Sequence, residues 1–80
     1  MISSAQLSVY PLRQEKIGPA MEIVRAALQA HGLEPHVGPM STIVTGENRV
    51  IFAALRDAFT KAAEMGQVAM TITISNACPV

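Results

Sequence analysis

Apolar and polar residues alternate from Ala5 to Tyr10, the period-two pattern of a half-buried strand. Leu7 and Val9 share one face, Gln6, Ser8 and Tyr10 the other, and Pro11 ends the run. The period then lengthens. Gly18-Pro19 opens a helix, because proline's missing N–H costs nothing at a first helical position. Ile17, Met21, Val24 and Leu28 follow at helical spacing, with Ala20 and Ala27 completing the stripe. His31-Gly32-Leu33 is a stop: Gly32 can turn left-handed and let Leu33 fold back on Leu28.

The second half repeats the order of elements with different residues. Glu34 to Gly38, broken by Pro35, reads as a short edge strand, and Gly38-Pro39 as a hairpin turn. Ser41 to Thr45 is a β-branched strand. Thr45-Gly46-Glu47-Asn48 is expected to start a second helix, capped by Thr45 or Gly46. Ile51, Leu55, Ala58, Phe59 and Ala62 are its expected buried stripe, and Gly66 its stop. Val68 to Ser75 is a clean strand, with Val68, Met70, Ile72 and Ile74 alternating against Ala69, Thr71, Thr73 and Ser75. Ile72 and Leu55 are expected in the core. The sequence thus predicts an α+β class, a ferredoxin-like βαββαβ sandwich. It has a four-stranded antiparallel sheet and two helices on one face, because right-handed crossovers put both there.

Composition narrows the function. Eighty residues make one domain, 1–80. A chain this short buries only about 60% of the surface it exposes unfolded, so oligomerisation is the expected extra stabiliser. Half of the residues are hydrophobic, and six Lys plus Arg balance six Asp plus Glu. That balance gives no basic field for nucleic acid. Neither a signal peptide nor the roughly 18-residue apolar run of a membrane span is present, so a cytoplasmic location is expected. The single Cys78 excludes an internal disulfide and the paired-cysteine metal chaperones of this architecture. His31 and His36 are separated by a Gly and a Pro, which excludes a metal pair on one helix. No catalytic triad, P-loop or dinucleotide pattern occurs, and the segment from Arg13 to Gly18 lacks the anion cradle of an acylphosphatase-like hydrolase. No metal, cofactor or catalytic residue is expected.

The face opposite the helices should carry Gln6, Ser8, Tyr10, Ala69, Thr71, Thr73 and Ser75, none of them charged. A strand face meant for water usually carries Lys or Glu, so this face reads as a subunit interface, a ligand site or both. Three segments are more specific: Ala5-Gln6-Leu7-Ser8-Val9-Tyr10-Pro11-Leu12, Pro39-Met40-Ser41-Thr42-Ile43-Val44-Thr45-Gly46 and Met70-Thr71-Ile72-Thr73-Ile74-Ser75. In this order and in so short a chain they resemble the YkoF-like family of thiamine-binding proteins. The resemblance covers nearly the whole chain. It implies a homo-oligomer built on sheet packing, here a tetramer as a dimer of dimers, and non-catalytic binding of thiamine or its hydroxymethylpyrimidine half in thiamine salvage or transport. An aminopyrimidine needs an apolar slot rimmed by neutral hydrogen-bonding groups. Gln6, Ser8, Ser41, Thr42 and Asn76 are candidate partners, Tyr10 a stacking surface and Glu47 a partner for a ring nitrogen or for positive charge. The alternative is a structural or regulatory subunit that meets a protein through its uncharged sheet face.

Overall fold

The computed structural model describes residues 1–13, 18–38 and 41–77. Six elements follow in the order β1 (Ile2–Pro11), α1 (Gly18–Ala30), β2 (His36–Val37), β3 (Thr42–Glu47), α2 (Asn48–Ala63) and β4 (Val68–Ser75). The sheet is antiparallel with strand order β2-β3-β1-β4, so the first strand is central and the last is an edge. This is the expected ferredoxin-like α+β arrangement.

Cross-strand pairs set the two faces. Ala5 pairs with Val44 and Ile74, Leu7 with Thr42 and Ile72, and Val9 with Met70. Paired residues point the same way, so these side chains form the row under the helices. Ala20, Val24, Ala27 and Leu28 of α1 and Ile51, Ala54, Leu55, Ala58 and Ala62 of α2 close over that row into one core. Leu7, Leu28, Val44 and Ile51 are its largest fully buried side chains. Leu33 closes one end. Its N–H donates to the Leu28 carbonyl at 3.2 Å, through a turn that holds Gly32 at φ 79°. Its Cδ2 then lies where a Cβ on Gly46 would stand, 2.8 Å away, so β3 passes close beneath it.

Several expectations need correction. β1 begins at Ile2 and not Ala5, because Ser3 takes a place in the buried row. The first edge strand shrinks from Glu34–Gly38 to His36–Val37. β3 is displaced from Ser41–Thr45 to Thr42–Glu47: Thr45 and Gly46 pair with Ser4 and Ser3 instead of capping α2. The helix starts at Asn48 with Glu47 at the N-cap and no side-chain cap bond. Phe59 is 45% exposed and Ala54 occupies the buried stripe in its place. Ile72 is 40% exposed and not core. It points to the helix side, but its strand is an edge, beyond the cover of α2. Ile17, Pro39, Met40 and Cys78 lie outside the described residues.

Backbone pairing also fixes where proline is tolerated. Leu12 N–H donates to the Gln67 carbonyl at 2.8 Å, in line with the β1–β4 register. In an antiparallel ladder inward- and outward-directed residues alternate. Pro11 therefore directs its nitrogen away from β4, where no N–H is missed.

Candidate functional site

The sequence-predicted site residues fall into separate places. Gln6, Ser8 and Tyr10 lie on the open face of β1, and the Gln6 amide donates to the Ser41 hydroxyl at 3.1 Å. The Ser4 and Thr45 hydroxyls share a hydrogen bond of 2.9 Å on the same face. Thr42 points the other way. It is 3% exposed, paired with Leu7 beneath the helices. Glu47 and Asn76 sit at the far end of the sheet, near Met1. Glu47 lies 3.2 Å from the Met1 amino nitrogen, and the Asn76 amide is 3.3 Å from the Met1 sulfur. Tyr10 is eight positions along β1 from Ile2, the partner of Glu47, or about 27 Å at ~3.4 Å per residue. One small ligand cannot touch both ends.

The open face holds Ser4, Gln6, Ser8 and Tyr10 of β1, Ile43 and Thr45 of β3, and Ala69, Thr71, Thr73 and Ser75 of β4. Those ten positions carry no charge. Ile43 and Tyr10 are exposed on it. Glu47 stands at one end of the face, and His36 pairs with Ile43 at the β2 edge. The face is flat and hydroxyl-rich, suited to covering by another surface.

A concave site lies at the Glu47 end. A shallow cleft of about 150 Å³ opens between the first turn of α2 and the end of β4, lined by Met1, Ser3, Asn48, Phe52, Ile74, Ser75 and Asn76. Asn48 and Phe52 are one helical turn apart and so face the same side of α2. Ser3 enters from the central strand and Ile74 from the edge strand. The Ser3 hydroxyl donates to Asn48 Oδ1 at 2.9 Å, which fixes the amide and leaves its two N–H donors for another acceptor. The Phe52 ring is 54% exposed. One open aromatic face thus stands among four neutral polar side chains, Ser3, Asn48, Ser75 and Asn76. At the start of α2 the Asn48 backbone N–H donates to the Met1 carbonyl at 2.7 Å.

Of the residues named from sequence, only Asn76 lines this cleft, with Glu47 beside it. Ser3, Asn48, Phe52, Ile74 and Ser75 were missed. The available signal was the spacing Asn48-x-x-x-Phe52, legible only once the helix start is placed at Asn48. Elsewhere, His31 Nε2–H donates to Asp57 Oδ2 at 2.6 Å and ties the end of α1 to α2. That hydrogen bond is the chief cause that holds the Asp57 carboxyl below its usual value, and partial desolvation opposes it. Among the described residues no group of three or more His, Cys, Asp or Glu side chains gathers as a metal site would require. No helix among them is long and apolar enough to cross a membrane.

The profile of a family described as thiamine-binding protein matches residues 5–77. No curated protein matches the sequence. Among solved structures, a hypothetical protein of Methanocaldococcus jannaschii is similar at TM-score 0.86 and 16% identity, over 96% of this chain and 81% of that one. A Streptococcus pneumoniae protein is similar at TM-score 0.85 and 27% identity, over 94% of this chain and 86% of that one. A Thermotoga maritima protein, assigned provisionally to thiamine biosynthesis or salvage, is similar at TM-score 0.81 and 16% identity, over 94% and 83%.

Proposed function

Because this chain belongs to the thiamine-binding protein family, we propose that it binds thiamine, or the hydroxymethylpyrimidine half of thiamine, and does no chemistry on it. The observation that carries the reading is the cleft at the start of α2, where the exposed Phe52 ring stands beside Ser3, Asn48, Ser75 and Asn76. An aminopyrimidine is flat, neutral and ringed by donors and acceptors, and it needs one stacking surface with polar groups at the rim. The cleft, at about 150 Å³, falls below the ~300–1,000 Å³ of sites that enclose drug-sized ligands. That size favours the pyrimidine as the enclosed half, with the thiazolium outside. In this reading Glu47, one residue before Asn48 and paired with the Met1 amino group, offsets the thiazolium's positive charge from outside the cleft. Gln6, Ser8, Tyr10 and Ser41 belong in this reading to the uncharged sheet face, and Thr42 to the core beneath α1 and α2.

The proposed assembly is a cytoplasmic homotetramer, a dimer of dimers whose neutral sheet faces stack. The process is thiamine salvage or transport, in line with the provisional assignment of the Thermotoga maritima protein. Titration calorimetry with thiamine, its phosphates and hydroxymethylpyrimidine tests the binding. The expected result is saturable heat with at least one of them and a raised melting temperature, because a ligand of the folded state stabilises it by mass action. Phe52→Ala should weaken that binding at least tenfold. No heat and no melting shift at millimolar ligand would refute the reading. The second reading, a structural subunit acting through the open face, would then stand first, since Ile43 and Tyr10 remain exposed there.

A further inference from the structure

Two side-chain amides line the cleft at the start of α2, those of Asn48 and Asn76. Each is held by a different kind of partner. The Ser3 hydroxyl donates to Asn48 Oδ1 at 2.9 Å. Ser3 is 3% exposed, so water does not take its proton, and a buried donor left unpaired is costly. Turning the Asn48 amide over would set N–H groups against that hydroxyl and strip its proton of this acceptor. The oxygen end of Asn48 is therefore fixed on Ser3, and its amine end is left to donate.

Asn76 is held in the opposite sense. Its Nδ2 lies 3.3 Å from the Met1 sulfur. A thioether sulfur accepts hydrogen bonds and has no proton to give. The amine end of Asn76 thus belongs on Met1, and its Oδ1 is left to accept. A free asparagine turns to suit its ligand and reads donors and acceptors alike. Here the two partners remove that freedom before a ligand arrives. The cleft presents a donor from the start of α2 and an acceptor from just past β4. The half-exposed Phe52 ring adds a face on which any flat ring can stack.

We propose that Asn48 and Asn76 together read the edge of a heteroaromatic ring in which a ring nitrogen stands beside an exocyclic amine. The ring nitrogen accepts from Asn48 Nδ2–H, and the amine donates to Asn76 Oδ1. Ser3 is the positioning residue that sets the sense of the Asn48 amide. The site thereby takes aminopyrimidines and rejects pyrimidinones. In a pyrimidinone the same two positions carry an N–H and a carbonyl, so donor meets donor at Asn48 and acceptor meets acceptor at Asn76. The two rings are equally flat and close in size, so neither the volume of the cleft nor the Phe52 ring tells them apart. Stacking supplies affinity and the two amides supply selectivity. This inference deepens the thiamine reading and rests on it for the choice of the cleft.

Titration calorimetry with thiamine and with oxythiamine, in which a carbonyl replaces the exocyclic amine, is the test. The ratio of the two affinities is the readout. The unmodified chain should favour thiamine by about tenfold or more, since a site built on hydrogen bonds penalises a ligand that leaves them unmade. Phe52→Ala should weaken both ligands and leave the ratio in place. Ser3→Ala frees the Asn48 amide to turn, so the ratio should fall toward one. Ser3→Thr keeps the hydroxyl and should restore it. Should Ser3→Ala fail to fold, Asn48→Asp supplies the check: it keeps an acceptor for Ser3 but has no N–H, so the preference for thiamine should vanish. Its charge acts on the thiazolium of both ligands alike and cancels in the ratio.

Equal binding of both ligands by the unmodified chain, or a ratio unchanged in either folded variant, would overturn the edge reading and leave thiamine binding in place. The bare rings separate the two readings from the other side. In an isotope-labelled chain, unsubstituted aminopyrimidine should shift the Asn48 side-chain amide signals in NMR spectra, and the matching pyrimidinone should not. If it does so while thiamine gives no heat, the thiamine reading fails and the edge stands. If neither thiamine nor aminopyrimidine moves those signals, both fail.

Discussion

Leu55→Ala offers the sharpest test of how the core is assembled. Leu55 is 6% exposed and sits on the buried face of α2 with Ile51, Ala58 and Ala62. Truncation removes three carbons. At ~0.8 kcal/mol per buried methylene the transfer loss is about 2.4 kcal/mol. A cavity term adds to it, because a core held between two helices and a sheet relaxes only partly, and the usual range for a buried leucine is about 2–5 kcal/mol. In a domain of this size each kcal/mol moves the melting temperature by about 4–8 °C, so the variant should melt roughly 10–20 °C lower. The chain has no tryptophan, so far-UV circular dichroism in urea is the assay. Both proteins must be compared at one protomer concentration, since assembly itself adds stability. The urea slope should stay the same while the midpoint falls. A loss under about 0.5 kcal/mol, the size of a surface effect, would mean that α2 does not present this face to the sheet.

Three further outcomes are expected. The Asp57 carboxyl is held low chiefly by the hydrogen bond from His31. A depressed carboxyl contributes stability that is present above its ordinary value of 3.8 and lost as pH falls through its folded value. Asp57→Asn should therefore flatten the acid limb of a melting-temperature profile, and an unchanged profile would refute the link between the two helices. Thr73→Lys places a charge on the neutral open face; if faces stack there, light scattering should show a smaller assembly, and an unaltered mass would move that contact elsewhere. Gly32→Ala meets no atom but must adopt φ 79°, so chemical denaturation should register a cost of about 1–2 kcal/mol.

Much of the fold was legible because most elements obey one period throughout. β4 begins at Val68 and ends at Ser75, as its alternation predicts, and the first helix ends before Gly32 as its stop signal requires. The misreadings have identifiable causes. Ser3 is a polar residue in an apolar row, tolerable there because its hydroxyl donates to Asn48, so the alternation reads as starting two residues late. Thr45 and Gly46 have the chemistry of a helix cap, yet pairing with Ser4 and Ser3 of β1 keeps them in the strand; a partner distant in sequence overrides a local preference. Phe59 and Ile72 lie in apolar registers and are nonetheless exposed. Periodicity gives a side chain's direction, but not whether another element reaches far enough to cover it. The cleft was missed for the same reason: Ser3, Asn48, Phe52 and Ile74 come from three elements whose meeting has no local signature.

The place of β1 at the centre of the sheet also sets the order in which the molecule can be built. Its partners are the fourth and sixth elements, and Ser4 pairs with Ser75 near the other end of the described chain. Neither ladder of the central strand closes locally, whereas both helices can begin on their own. Loop closure must therefore come before most of the sheet's hydrogen bonds, which makes non-local topology slow to fold. In pulse-labelling hydrogen exchange, α1 and α2 amides should gain protection first. Those of β1 should gain it together with β4, in a single late phase. Protection of β1 before β4 would show that the β3 ladder alone can hold the central strand.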